Sequence, residues 1–310
     1  MAQVAQDRPP GPARGPLPRI VFVLGKGGVG RSTVAAGLGL ASAARGERCA
    51  VLGWALADPL GPWFGAPAVG PVLTELAPRL WAANFSLDEA LRAYFVDHLH
   101  LGPIYRRIVR APPVARLLEL APGLAEMFFL GHLWWLVTLA EREAGLAFDR
   151  LIVDAPATGH ATSLLDVPAT IARMGAGGQL AVETRRVTAL LADPARTGAV
   201  LVATPEPLVI DETLELAPRV ARQLGQPARA LVVNASTTEL TAGDDAWLAA
   251  LPAGPRAAAR SVRADLRRRA ALEAELRAQL PYPSMAIPEL TGCAPRALLA
   301  VAARALEAAW

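Results

Sequence analysis

The stretch Gly25-Lys26-Gly27-Gly28-Val29-Gly30-Arg31-Ser32-Thr33 decides the fold of this chain. It follows the apolar run Ile20–Leu24, which is typical of a strand, and it opens the helical pattern of residues 31–45. A glycine-rich turn between a strand and a helix lets backbone N–H groups surround a phosphate, and the helix start adds its positive dipole end. We therefore predict a nucleotide-binding loop at residues 25–33, with ATP and Mg²⁺ as its ligands.

Three side chains at the end of this loop carry its chemistry. Ser32 is placed to bind Mg²⁺, and Thr33 to touch the α-phosphate. The position before the hydroxyl, usually lysine in such loops, is Arg31. Because a forked guanidinium does not replace an ammonium conservatively at a tight phosphate site, two interpretations stay open. One is an active enzyme with a slower chemical step, and the other is a nucleotide-binding subunit with little turnover.

The composition limits the class of protein. The chain has 310 residues, of which 53% are hydrophobic and 19% charged, so a disordered chain is excluded. A net charge of +3 is a small excess, and we do not expect nucleic acid as a partner. Lys26 is the single lysine of the sequence, and all the other residues counted as Lys or Arg are arginines.

Cysteine usage and apolar runs bear on where the protein works. Cys49 and Cys293 are too few for a disulfide framework and form no Cys-x-x-Cys zinc motif, so we expect two buried thiols, no zinc and a cytoplasmic location.

Residues 1–18 lack the apolar centre of a secretory signal and are predicted to form a disordered tail. The apolar run Met127–Leu139 is shorter than the roughly 20 residues of a membrane span, so we expect a helix packed against the sheet and no integral membrane segment.

Strand-like runs alternate with helical stretches along the rest of the chain. This pattern predicts an α/β fold for residues 19–310, with a doubly wound, mainly parallel sheet. The predicted strands are Ile20–Leu24, Ala50–Gly53, Leu151–Asp154, Ala199–Thr204, Leu231–Asn234 and Pro283–Ile287. Residues 59–149 show no evident strand, and a connection of that length needs structure of its own. We therefore expect an inserted helical subdomain at about residues 62–145, built from helices near Leu87–His98, Ile104–Val109, Val114–Leu120 and Leu124–Arg142.

A second motif ends the third predicted strand, with the sequence Val153-Asp154-Ala155-Pro156-Ala157-Thr158-Gly159-His160. Asp154 at a strand end suits a Walker B carboxylate, which holds Mg²⁺ through water. The loop with Lys26 resembles the deviant Walker A ATPases, and the second motif resembles the arsenical-pump and guided-entry ATPase family among them, in its bacterial branch. The resemblance implies a dimer in which Lys26 reaches the nucleotide of the facing subunit and takes part in hydrolysis.

Further positions extend this resemblance over about residues 19–309. Asp58-Pro59 matches the first switch of the family, which implies that Asp58 polarises the attacking water, although Leu60 and Gly61 depart from the usual continuation. Asn234 matches an asparagine expected at the adenine, and Pro288 a proline near the base. The other matching stretches are Pro122-Gly123 with Glu126, and Thr204-Pro205-Glu206 with Glu212-Thr213.

The sequence lacks the residues with which members of the family bind their known clients. Residues 59–149 contain no cysteine for a metalloid site, and no methionine-rich insert follows the second motif. We therefore expect a homodimer, or a heterodimer with a paralogous ATPase, acting on an unknown protein client. The alternatives are a weakly active or inactive subunit of such a heterodimer and a partition-type ATPase that binds DNA or membrane. Arg256, Arg260, Arg263 and Arg267 share one predicted helix face, which we interpret as a solvated surface rather than a DNA-binding patch.

Overall fold

The structure is a computed structural model that describes residues 17–54, 60–92, 95–96, 101–113, 123–155, 158–175, 177–237, 242–290 and 292–307. Side chains are described for the same residues except 158–162 and 242–245.

An eight-stranded sheet runs through the described residues in the order β3-β4-β2-β5-β1-β6-β7-β8. Its strands are β1 Ile20–Gly25, β2 Cys49–Gly53, β3 Thr74–Ala77, β4 Leu80–Asn84, β5 Arg150–Asp154, β6 Thr197–Ala203, β7 Ala230–Ser236 and β8 Ser284–Pro288. All neighbouring strands are parallel except β3 and β4, which are antiparallel. The prediction of an α/β fold with a mainly parallel sheet is confirmed, and its apolar strands are buried as strands covered on both faces should be.

Helices flank this sheet and connect its strands. They are α1 Arg31–Ala44, α2 Leu60–Trp63, α3 Leu87–Arg92, α4 Gly102–Ile104, α5 Leu124–Thr138, α6 Ala140–Ala144, α7 Thr158–Arg173, α8 Gly178–Ala192, α9 Pro207–Leu224, α10 Ala242–Ala250, α11 Ala253–Gln279 and α12 Pro295–Glu307. A π-helical turn, Tyr105–Val109, continues α4. Helices α1 and α12 pack closely at Gly37. A Cβ added there would lie 3.0 Å from Ala302 Cβ and from Leu306 Cδ1, so the contact favours glycine.

The prediction that residues 59–149 contain no strand is wrong. Strands β3 and β4 form a hairpin in which Ala77 pairs directly with Leu80, and β4 continues the sheet by pairing in parallel with β2. Strand β3 is half exposed at the edge, and β4 contains two alanines, which favour strands weakly, so neither has a clear strand pattern. The short helix α2 precedes this hairpin, and the other described helices of the connection follow β4, beginning with α3. The helix predicted at residues 114–120 lies outside the described residues.

Helix α5 confirms the interpretation of the long apolar run. Its buried residues join the main core beneath the sheet; they are Met127, Phe129, Leu130, Leu133, Leu136 and Val137. The Phe129 ring lies 5.5 Å from that of Trp54, after β2, and 5.1 Å from that of Phe85, after β4. In the part of the chain that is described, no helix combines the length and the apolar character that crossing a membrane requires.

Arg150, the first residue of β5, stabilises the end of the sheet where the parallel strands begin. Its guanidinium pairs with both carboxylate oxygens of Glu47 at 2.9 and 2.7 Å and donates to the backbone oxygens of Leu17 and Pro18. The last two residues of the predicted tail are therefore held against the domain, and its residues 1–16 lie outside the described ones. Both cysteines are free, but only Cys49 is buried; Cys293 is exposed, so the expectation of two buried thiols is wrong for one of them.

Candidate functional site

Those predicted site residues that the structure describes lie at one edge of the sheet, where the parallel strands have their carboxyl ends. Strand β1 leads into the glycine loop, β5 ends in Asp154, β7 carries Asn234 near its end, and β8 ends in Pro288. Pro288 lies opposite Ser236 in the register of β7 and β8. Ligands of open α/β sheets bind at this edge, so the arrangement is that of a single site.

The loop between β1 and α1 has the conformation that binding an anion requires. Gly28 and Gly30 have φ angles of 89° and 87°, which residues with a side chain rarely adopt. No side chain caps the first turn of α1, so its N-terminal N–H groups have no such competitor for an anion. Gly27 and Gly28 are exposed, which leaves the front of the loop open to solvent.

Asn234 braces this loop from the neighbouring part of the sheet. Its side-chain nitrogen Nδ2 donates a hydrogen bond of 2.8 Å to the backbone oxygen of Val29. A Cβ added at Gly30 would lie 2.2 Å from the same nitrogen, so the close approach also requires glycine there. The sequence resemblance implied only a contact of Asn234 with adenine. The sequence did not predict its hydrogen bond to Val29, because 205 residues separate the two partners.

Ser32 and Asp154, the two residues expected at Mg²⁺, are in direct contact. The Ser32 hydroxyl donates to Asp154 Oδ2 at 2.6 Å, between the start of α1 and the end of β5. A hydroxyl and a carboxylate are the oxygen donors that Mg²⁺ prefers, so this pair fits the ion. Thr33, expected at the α-phosphate, is buried in the first turn of α1.

Arg31 points into its own loop. Its Nη1 donates to the backbone oxygens of Gly25 at 2.6 Å and Lys26 at 3.3 Å. Burial lowers the pKa of the guanidinium from its usual value, and the nearby Asp154 carboxylate opposes that shift. Its Nε is buried and makes no hydrogen bond to any described residue, so a donor is left that a phosphate oxygen could satisfy.

Lys26 points the other way. Its ammonium nitrogen forms an ion pair of 2.8 Å with Glu212 Oε1, on helix α9. Both side chains are partly exposed, at 26% and 36%. The sequence resemblance covered Glu212 but gave it no role, and no local pattern could have, because 186 residues separate the two partners.

Part of the predicted site cannot be compared with the structure. Asp58 lies outside the described residues, as do Pro156 and Ala157 of the second motif. Helix α7 starts at Thr158, and the side chains of its first turn, including His160, are not described.

The arginine-rich face of α11 is partly engaged within the chain. Arg256 donates to the backbone oxygen of Leu251 and so closes the end of α10. An open cavity of about 280 Å³ lies beside this face, lined by Leu248, Ala249, Arg260, Arg263, Ala264 and Arg267. Nothing in this arrangement overturns the interpretation of a solvated helix, and the expectation about nucleic acid stays a prediction.

Comparison with known proteins adds to this geometry. A family model described as anion-transporting ATPase matches residues 18–176, which is more than half of the chain and includes the loop and Asp154. A putative ATPase of Mycobacterium bovis and ATPase BagA of Mycobacterium tuberculosis are each 28% identical over 221 residues, covering 70% of this chain and 64% of the relative. An arsenical pump-driving ATPase of Acidiphilium multivorum is 26% identical over 254 residues, covering 76% of this chain and 42% of that protein. The chain thus spans less than two thirds of the length of each of these relatives.

Proposed function

This chain belongs to the anion-transporting ATPase family, as its two motifs indicated, and from that premise we propose that it binds ATP with Mg²⁺ and hydrolyses it between two facing subunits. The second subunit is another copy of the chain or a paralogous ATPase.

The opposite orientations of the two loop cations carry this proposal. Arg31 is turned toward the inside of its own loop, where its Nη1 meets the oxygens of Gly25 and Lys26. Lys26 extends instead to Glu212, at the partly exposed edge of α9. A phosphate bound in the loop would meet Arg31 from the same subunit, and the Lys26 position favours contact with a nucleotide held by a facing subunit.

Hydrolysis on this site transfers the γ-phosphoryl group to water. The water oxygen forms a bond to phosphorus, the bond from phosphorus to the bridging oxygen breaks, ADP leaves, and the proton that the water loses passes to phosphate or solvent. Backbone N–H groups of the loop, Arg31 and the partner subunit's Lys26 would hold the charge that spreads over the phosphoryl oxygens. When bound, Mg²⁺ would neutralise phosphate charge, with Ser32 and Asp154 as its holders. Asp58, by family resemblance, would polarise the water.

Helix α5 gives the nucleotide site a physical route to a protein client. It packs against α7, which begins within the second motif, and its Phe129 touches Trp54, the residue after β2. We propose that closing of the dimer shifts these elements and so switches the binding of a client in the cytoplasm.

Arg31 supports one competing function, a nucleotide-binding subunit with little turnover of its own. The guanidinium already bonds to two loop oxygens, and its fork needs more room beside a phosphate than an ammonium does. We favour slow hydrolysis, because the charge and the orphaned Nε donor remain in place.

Two measurements test the proposed function. Calorimetry with ATP and ADP, with and without Mg²⁺, should show nucleotide binding that strengthens with the ion. Phosphate release should then be measured for the chain alone and with a paralogous ATPase. No nucleotide binding would end the proposal, and turnover in the mixture that Asp58→Asn in this chain leaves unchanged would establish the competing one.

A further inference from the structure

Lys26 and Glu212 form an ion pair at this site. The mechanism proposed above for ATP hydrolysis gives Glu212 no role, so the pair needs an explanation of its own. The two groups meet at 2.8 Å, although Lys26 belongs to the phosphate loop and Glu212 to a helix on the next strand crossover. Strand β6, which leads into α9, pairs with β1 as far as Gly25 and Val202. The fold therefore brings the start of α9 beside the front of the loop.

Glu212 lies on the border between the buried and exposed faces of α9. Thr213 and Leu216 are buried, whereas Leu208 is 62% exposed. A carboxylate at this border can reach the loop while staying in contact with solvent. Its oxygen holds the ammonium at the open front of the loop, next to the exposed Gly27 and Gly28.

A restraint of this kind matters for a lysine more than for most side chains. The four-carbon stem of a free lysine samples many rotamers, and ordering them opposes binding of its ammonium to a phosphate. The ammonium has three N–H donors, and the bond to Glu212 uses one of them. The other two can donate to phosphate oxygens while the carboxylate keeps the nitrogen in place.

Resting on the proposed function, we infer that Glu212 is a positioning residue for Lys26. It holds the only ammonium side chain of this protein away from its own phosphates and presents it to the nucleotide bound by a facing subunit.

Glu215 provides a matched control on the same helix. It lies one turn further along α9 and pairs with Arg219 at 3.3 Å, at the surface, where both side chains are more than half exposed. Glu215→Gln removes the same charge from the same helix as Glu212→Gln, but leaves the loop contact intact. Glu212→Asp keeps the charge and shortens the reach, so it serves as the conservative variant.

The single lysine allows the contact to be observed directly. Reductive methylation with ¹³C-formaldehyde should label Lys26 and the N-terminal amine, and it preserves the positive charge of the lysine. Lys26→Arg identifies the lysine resonance by its disappearance. We expect Glu212→Gln to shift that resonance and Glu215→Gln to leave it unchanged. An unchanged resonance in Glu212→Gln would overturn the inference without involving ATP hydrolysis.

The positioning role is then measured with unlabelled protein. We expect Glu212→Gln to lower kcat by about tenfold or more, since small misplacements of a charge-stabilising group are costly, while nucleotide affinity of the isolated chain changes less than about threefold. Glu212→Asp should recover part of the rate, and Glu215→Gln should match the wild type. The melting temperature of each variant shows whether it is folded.

The outcomes separate this inference from the proposed function. If the resonance shifts but kcat stays at the wild-type value, the pair exists without a positioning role, and the inference is wrong while the proposed function stands. If nucleotide affinity falls as much as kcat, Glu212 supports the loop itself and the inference is again wrong. If the wild-type chain, alone and with a paralogue, neither hydrolyses ATP nor associates in its presence, the proposed function fails and the positioning role fails with it.

Discussion

Replacing Asn234 by alanine tests whether this residue serves the loop, the base or both. The substitution removes the donor that holds the Val29 oxygen at 2.8 Å and leaves that oxygen without its brace. A typical intramolecular hydrogen bond contributes about 0.5–1.5 kcal/mol net. If that free energy holds the loop in its binding conformation, its loss should weaken binding of the phosphates by roughly twofold to tenfold.

The base and the phosphates can be separated by the choice of ligand. Calorimetry with ATP, GTP and inorganic tripolyphosphate should show a similar loss for all three in Asn234→Ala, because each is held by the same loop. Asn234→Asp, which has oxygen in place of the donor nitrogen, should lose at least as much. If tripolyphosphate binds Asn234→Ala as tightly as it binds the wild type, the brace has no role in the loop. A loss confined to ATP would assign Asn234 to the adenine alone.

The remaining predictions concern the metal, the water and the cation in trans. Ser32→Ala should weaken nucleotide binding more with Mg²⁺ than without it, because a metal ligand is lost; equal losses by calorimetry would remove Ser32 from the metal site. Asp58→Asn should lower kcat by roughly two orders of magnitude or more at nearly unchanged nucleotide affinity, since a water-positioning carboxylate acts in the transition state; normal phosphate release would show that this chain does not use it. Lys26→Arg should strongly reduce hydrolysis and ATP-dependent closure in a folded protein, because a second guanidinium collides beside Arg31. In a dimer with one functional nucleotide site, the loss should occur when the substituted subunit faces that site, and full activity in that arrangement would contradict the role in trans.

The central strands could be predicted because their environment is uniform. Strands β5, β6 and β7 are covered on both faces, and such strands are unbroken apolar runs in sequence. Strand β3 has an exposed edge, and β4 depends on pairing with β2, which is distant in the chain. Their stability comes from sheet neighbours rather than from local preference, so residues 74–84 looked like part of a helical insert.

The candidate site likewise contains features that the sequence predicted and features that only the structure shows. Spacing within one segment predicted the loop, and a second motif predicted a carboxylate for Mg²⁺ at a strand end. The structure adds the direct hydrogen bond of Ser32 to Asp154. The partners of Asn234 and Lys26 depend on how crossovers place β7 and α9 beside the loop. No pattern within a segment records such contacts, so only the folded chain reveals them.

The position of β1 in the sheet has a consequence for protein synthesis. β1 lies between β5 and β6, and β6, Thr197–Ala203, lies beyond the residues that the family model matches. While the ribosome is still translating the earlier residues, one edge of β1 has no neighbour, and an apolar strand with an unpaired edge invites wrong pairing. A nascent chain that ended at residue 176 would contain the loop and Asp154 on an unfinished sheet that still lacks Asn234. We therefore expect the loop to reach its braced conformation only after β7, which carries Asn234, has been synthesised.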